Sequence, residues 1–188
     1  MLCVFNYLGN LEDIDNTPVK EDLLKANLKK RGYSDDQIKT AISELLSKVN
    51  NQVDTLYQIN RSVYSLLRYG RQGVKDEYGR RETVHYIEWD ADKIDENDFY
   101  VAEEVSVLRY DRVTRKRPDV VLYINGIALG VFELKSSYVS AGKGIRQMLQ
   151  NQKRENILNF FSTAQFLFAG NEAEGLFYGT TDTPEKSF

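Results

Sequence analysis

Two carboxylates and a lysine stand inside two otherwise apolar stretches. Asp119 opens Asp119-Val120-Val121-Leu122-Tyr123, while Glu133 and Lys135 close Leu129-Gly130-Val131-Phe132-Glu133-Leu134-Lys135. Strands this apolar should be largely buried, and buried charges are costly unless compensated. Glu133 and Lys135 are two positions apart, so an extended strand projects both from one face. Two carboxylates and a lysine on one rim suit a hard divalent cation such as Mg²⁺. That ion keeps several waters and accepts phosphate oxygens in the rest of its shell. The cation acidifies a bound water and stabilises charge building on a phosphate. The lysine can orient or deprotonate the water, or steady that charge.

Geometry sets a condition on this chemistry. Asn125-Gly126 between the two stretches is a strong hairpin signal. A strict two-residue loop pairs Asp119 with Phe132 and turns its side chain away from Glu133. The three groups share a site only if a bulge or an odd loop shifts the register by one, or if Asp119 sits just outside the paired region. A clean ladder with Asp119 facing away from Glu133 and Lys135 would sink the metal-site reading.

The elements that must position these groups are legible in outline. Residues 1–70 read as helical. A helix is expected from Val19 to Arg31 after Thr17-Pro18, stopping at Gly32. Ser34 and Gln37 form a capping-box signal for a second helix, with Ile38, Ala41, Ile42, Leu45 and Leu46 at helical spacing, broken at Asn50-Asn51. A third helix is expected from Val53 to Tyr69, closed by Gly70. These stripes are best explained by core packing. After a turn-rich charged stretch, Arg71 to Arg81, strands are expected over Val84–Trp89, Tyr100–Leu108, Asp119–Ile124 and Ile127–Lys135. One long helix, Ala141–Phe161, and two strands, Ala164–Ala169 and Gly175–Gly179, complete the plan. The expected fold class is α/β: a mixed sheet flanked by helices over 82–188, behind a helical N-terminal half.

Composition narrows the function classes. The chain has 188 residues, 41% hydrophobic and 28% charged, ordinary for a soluble globular protein of one domain. It contains no apolar run long enough for a membrane helix, and its start turns polar too soon for a signal peptide. A cytoplasmic location is the default. One cysteine, Cys3, and one histidine, His85, exclude an internal disulfide and a His/Cys metal cage. Cys3 reads as an inert, partly buried thiol and His85 as a strand-surface residue.

The net charge of −3 argues against a uniformly basic nucleic-acid surface, but the charge is segregated. Arg109, Arg112, Arg115, Lys116 and Arg117 face only Asp111 on the approach to Asp119, and Lys143 and Arg146 stand on the following helix with Lys153 and Arg154 near it. Glu88 to Glu104 is strongly acidic. Basic segments flanking the motif suit phosphate neutralisation, which gives sequence-independent, salt-sensitive DNA affinity. Arg112, Arg115, Lys116, Arg117, Lys143 and Arg146 are the candidate DNA contacts. Glu103 and Glu104 are better explained by a solvated sheet face or an arginine salt bridge than by the metal shell.

Pro118-Asp119 followed by Glu133-Leu134-Lys135 matches the PD-(D/E)xK nuclease signature. Around it stand Phe5-Asn6-Tyr7-Leu8-Gly9-Asn10, Asn60-Arg61, Leu66-Leu67-Arg68-Tyr69-Gly70, Ala102-Glu103-Glu104-Val105, Gly144-Ile145-Arg146-Gln147, Phe160-Phe161-Ser162-Thr163, Ala169-Gly170-Asn171 and Thr183-Pro184-Glu185-Lys186. Together these resemble the N-terminal endonuclease domain of the restriction (R) subunit of type I restriction-modification enzymes, over nearly the whole chain.

The resemblance implies Asp119 and Glu133 as Mg²⁺ ligands and Lys135 as the catalytic lysine. It further implies that Gln147 supports the site or contacts DNA, as the glutamine of a QxxxY pattern. The fourth residue on is Asn151, so no residue takes the tyrosine's role. Relatives often carry a helix before the present start, sometimes with a further acidic residue, and no position here corresponds to it. The implied partners are double-stranded DNA and the methyltransferase and specificity subunits. ATP would be used only by downstream helicase-like motor domains; no GxxxxGK[ST] loop occurs in this sequence, which reads as a fragment of a longer chain. Two rivals stand beside the Mg²⁺-dependent endonuclease. One is a catalytically silent DNA-binding or subunit-docking module, the other a structural domain in which Lys135 forms a buried ion pair.

Overall fold

Asn125 and Gly126 both adopt positive φ, 52° and 83°, as a two-residue hairpin turn of the favoured hand requires. The rest of the architecture is arranged around this turn. The structure is a computed structural model and describes residues 4–76 and 78–188; Cys3 lies outside the described residues.

The chain enters as a strand, β1 (Phe5–Asn10), where the sequence suggests helix. Its partner strand lies more than ninety residues on, pairing Phe5 with Phe99, so no local period announces it. Helix α1 (Glu21–Lys30) starts two residues later than expected. Pro18 and Lys20 instead hydrogen-bond the hairpin: Ala128 N–H donates to Pro18 O and Lys20 N–H to Gly126 O, both at 2.8 Å. Thr17 Oγ1 donates to Val19 O, so it does not cap the helix. Helix α2 (Asp35–Val49) has the expected capping box from Ser34 and Gln37. Helix α3 (Leu56–Tyr69) has another, from Thr55 and Gln58, and ends at Gly70 with φ 74°.

The charged stretch after Gly70 is a hairpin rather than a turn region. It comprises β2 (Arg71–Lys75) and β3 (Arg81–Val84), antiparallel and separate from the main sheet. The strand expected over 84–89 stops at Val84, and the following apolar residues serve helix packing. Tyr86, fully buried, donates to Ala41 O at 2.7 Å, and Trp89 Nε1 donates to Leu67 O at 2.8 Å. The strand expected over 100–108 divides at Glu104, whose φ is 51°, into β4 (Phe99–Glu103) and the two-residue β5 (Val107–Leu108), which pairs with β6 (Arg115–Lys116).

Strands β7 (Val120–Ile124) and β8 (Ile127–Leu134) form the central hairpin. The long helix expected over 141–161 is broken. Helix α4 (Ala141–Asn151) ends ten residues early, and a short 3₁₀ turn covers Leu158–Ser162. Between them Ile157 N–H and Asn156 Nδ2 satisfy the last carbonyls, of Asn151 and Gln150, as helix ends require. Strands β9 (Phe166–Asn171) and β10 (Gly175–Gly179) complete a six-stranded sheet of order β1-β4-β7-β8-β9-β10. The β1–β4 and β8–β9 pairs are parallel and the others antiparallel.

Two apolar cores result. One joins α1–α3 and the segment around Tyr86 to Ile127 and Leu129 of β8. The other lies between the sheet and α4, with Val121, Tyr123, Val131, Met148, Phe161 and Leu167 among its residues. The fold is mixed α/β with a largely helical N-terminal half. No helix of the described residues is long and apolar enough to cross a membrane.

Candidate active site

Strand β8 carries one residue more than β7. Leu122 pairs with Gly130 but Tyr123 pairs with Ala128, so Leu129 is bulged out of the ladder. The bulge has a packing cause: Ile127 and Leu129 contribute to the helical core, while Ala128 and Val131 contribute to the sheet core. Its carbonyls are satisfied, since Gln165 N–H donates to Leu129 O at 2.8 Å and Thr163 Oγ1 to Ala128 O at 2.6 Å.

Past the bulge Val120 pairs with Phe132, which brings Asp119 level with Glu133. Asp119 lies one residue outside β7, and its N–H donates to Phe132 O at 3.2 Å. Its Oδ2 accepts from Leu134 N–H at 2.5 Å. Lys135 Nζ is 3.3 Å from Glu133 Oε2 and 3.9 Å from Asp119 Oδ2. The three groups therefore meet, by way of the bulge that the sequence required of them.

Glu133 is fully buried, whereas the side chains of Lys135 and Asp119 keep 19% and 26% of their surface. Burial, reinforced by the Asp119 charge, pushes the Glu133 carboxyl up to about 7, against the opposing pull of Lys135. Asn151 Nδ2 approaches Glu133 Oε1 at 3.4 Å. Asn151 is itself buried and its Oδ1 has no partner. Sequence reasoning left it without a role; its signal was only that it follows Gln147 by one helical turn.

Helix α4 can close on β8 because Gly144 faces it. A Cβ there would lie 3.2 Å from Glu133 O and 3.5 Å from Lys135 Cγ. Gln147 lies between Gly144 and Asn151 on that helical face, half-buried, and makes no hydrogen bond to Asp119, Glu133 or Lys135.

The basic residues fall into two sets. Arg115 pairs with Asp15 at 3.3 Å, Arg117 with Glu12 at 3.0 Å and Glu104 at 2.5 Å, and Arg146 with Glu185 at 2.7 Å. Arg112, in the turn between β5 and β6, and Lys143, in the first turn of α4, are exposed. Lys116 is half-buried, and its charge reaches Glu133. Glu103 accepts from Tyr7 Oη at 3.2 Å, and the Glu104 carboxylate pairs with Arg117 while its backbone N–H donates to Asp119 O at 2.9 Å. His85 is half-buried beside Gly70, not on a strand surface as expected.

The donor set fits a magnesium-like ion. Two hard carboxylates both lie within 3.9 Å of the Lys135 ammonium, Asp119 partly open to solvent, and water and phosphate oxygens would complete such a shell. Among the described residues no group of three or more His, Cys, Asp or Glu side chains gathers to hold a metal unaided.

A mixed sheet with two carboxylates and a lysine converging at a bulged hairpin defines the class of this α/β domain. The sequence belongs to a particular family of that class: it matches the type I restriction enzyme R protein N terminus over residues 6–186. A protein of Methanocaldococcus jannaschii named as a type I restriction enzyme MjaIXP endonuclease subunit is 29% identical over 120 residues, covering 62% of this chain and 12% of that protein. The chain thus spans a small part of the relative's length.

Proposed function

We propose that this domain is the Mg²⁺-dependent endonuclease module of a type I restriction R subunit, a PD-(D/E)xK enzyme that hydrolyses DNA phosphodiesters without reading sequence itself. The carrying observation is the bulge at Leu129, which sets Asp119 on the face of Glu133 with Lys135 3.3 Å from the latter. Asp119 and Glu133 would hold the metal. When bound, it supplies Lewis acidity and an acidified water. Leu134 N–H fixes the Asp119 carboxylate, and Asn151 braces Glu133 from behind. Lys135 is placed to orient the attacking water or to steady negative charge on the phosphate. Gln147 lines the approach on α4. Arg112, Lys116 and Lys143 would meet the DNA backbone first, while Arg115, Arg117 and Arg146 would exchange their carboxylate partners for phosphates. Recognition and modification would belong to specificity and methyltransferase subunits, and ATP to motor domains.

Incubation with supercoiled plasmid and Mg²⁺, alone and with the methyltransferase and specificity subunits, tests the reading. Cutting is expected to disappear in Asp119→Ala, Glu133→Ala and Lys135→Ala while DNA binding persists. Cutting that survives Asp119→Ala combined with Lys135→Ala rejects it. The contacts of Lys135 with both carboxylates also suit a purely structural ion triad. In that case the single variants would lower the melting temperature and no cleavage would be seen in any assembly.

A further inference from the structure

The loop that leaves Lys135 carries three hydroxyls and no charge, in Ser136-Ser137-Tyr138. All three residues are exposed, and Tyr138 is 99% open to solvent. The loop is nevertheless held on both sides. Lys135 N–H donates to Gly170 O at 2.8 Å, Asn171 Nδ2 to Val139 O at 2.7 Å and Ala141 N–H to Glu174 Oε1 at 2.9 Å. Between these ties Val139 N–H donates to Ser136 O at 2.9 Å, closing a turn with Tyr138 at its third position. Ser137 Oγ adds a longer bond to Glu172 at 3.4 Å. A phenol is thus carried into water on a backbone fixed to the end of β9.

Its place in the fold decides what meets it. Strands β8 and β9 run parallel, with Glu133 beside Ala169 and Leu134 beside Gly170, so the carboxylates and this loop stand at one end of the sheet. Three residues separate Tyr138 from Lys135, which keeps their Cα atoms within about 11 Å. The grooves of a DNA duplex are about 6 and 12 Å across. A duplex with one phosphate at Lys135 therefore brings a groove edge within reach of the Tyr138 ring. We propose that Tyr138 is a DNA-contacting residue, packing its ring against the sugars and base edges beside the phosphate to be cut. This inference rests on the nuclease reading. A segment of protein lying on Tyr138 instead would stand within the same distance of the carboxylates, in the path of the substrate. The contact is of a different kind from those of Arg112, Lys116 and Lys143. The tip of the loop has no cation and releases no counterion, so its share of the affinity comes from packing and hydroxyl hydrogen bonds.

Salt dependence separates the two kinds of contact. The protein carries Lys135→Ala to prevent cutting and is assembled with the methyltransferase and specificity subunits; binding of a fluorescein-labelled duplex is followed by anisotropy across a salt series. Tyr138→Ala should weaken binding about tenfold at every salt concentration, the scale for losing one aromatic contact to a base. The slope of log affinity against log salt should stay as in the parent, whereas Lys143→Ala should lower it by about one. Tyr138→Trp should restore the affinity. A photocrosslinking p-benzoylphenylalanine at position 138, irradiated in the same assembly, should attach to the DNA. Attachment to protein alone overturns the proposal. So does a Tyr138→Ala protein that binds as tightly as its parent, or a loss that vanishes at high salt. A parent that holds no duplex in any assembly overturns the nuclease reading and this contact together, while a parent that binds, and cuts once Lys135 is restored, with Tyr138→Ala indistinguishable from it, overturns the contact alone.

Discussion

The two cores of this domain solve opposite problems. The helical core holds Leu24, Leu28, Ile38, Leu45, Ile59 and Val63 with almost no exposure, and its one ionisable member, Tyr86, stays a neutral phenol that donates to Ala41 O. The sheet core borders a fully buried glutamate and contains Tyr123, whose hydroxyl has no partner; Asn151 Oδ1 and Ser162 Oγ nearby are likewise unpaired. Buried polar groups of this kind lower stability; the helical half has one too, Asn27 Oδ1 in α1, but the buried carboxylate lies on the sheet side, so the sheet half carries most of the energetic penalty of the proposed chemistry. The bulged strand β8 belongs to both, giving Leu129 to one and Val131 to the other. Substitutions should therefore separate: activity without stability on one side, stability without chemistry on the other.

The largest separation is expected at Lys135. Lys135→Ala should lower Mg²⁺-dependent cleavage by about 10³-fold, the scale for losing one preorganised charge-stabilising group. Its melting temperature should hold or rise in the presence of Mg²⁺. A collapse of the fold in this variant would mean that the sheet core needs the ion triad as a strut, which would break the contrast. Leu45→Ala is the mirror experiment. Leu45 is fully buried in the helical core, and the substitution should cost about 3 kcal/mol, lowering the melting temperature by roughly 6–12 °C. Cleavage per folded molecule should not change.

Glu133 sharpens the comparison through pH. Its folded carboxyl is raised to about 7 by burial and by Asp119, above its ordinary value of 4.5. The folded state then binds the proton more tightly than the unfolded chain. Its stabilisation is fully present below about pH 4.5 and is lost as pH rises through about 7. In EDTA, stability should decline across that window by on the order of 2–3 kcal/mol. Glu133→Gln should flatten the decline, and Mg²⁺ should offset it in the wild type. Denaturant titrations at pH 5 and pH 8 measure all three. A wild-type chain without metal that is equally stable at both values would show that the glutamate is not desolvated.

The meeting of Asp119, Glu133 and Lys135 was legible before the fold was complete, for a physical reason. Charges within apolar strands have few explanations, and Asn125-Gly126 dictates its turn locally, so the required register shift could be stated as a condition. Strand β1 was not legible because its hydrogen bonds go to residues more than ninety positions away. Neither was the break after Asn151, where the helix yields to side-chain bonds from Asn156 rather than to a proline or glycine. Hairpin β2–β3 was hidden by its charge, since both strands lie largely at the surface. Apolar strands were read as buried, but Leu134 and Phe166 are not. Alternation reports which residues are apolar, not what covers them.

The smallest expected effect tests whether the two regions are independent. Thr55 accepts from Gln58 N–H at 3.3 Å, and Gln58 Oε1 accepts from Thr55 N–H at 2.9 Å, closing the capping box of α3 in solvent. Thr55→Ala should cost about 1 kcal/mol, a shift of roughly 2–4 °C in melting temperature. Helix α3 also reaches the sheet: Asn60 Nδ2 donates to Ser162 O at 3.1 Å and Ala164 O at 2.8 Å. That segment leads into β9, which pairs Ala169 with Glu133. If fraying of the first turn stays local, cleavage is untouched and the division of labour holds. If Thr55→Ala also slows cleavage, the path through Asn60 transmits the disturbance, and Asn60→Ala should reproduce the loss with the Thr55 cap intact.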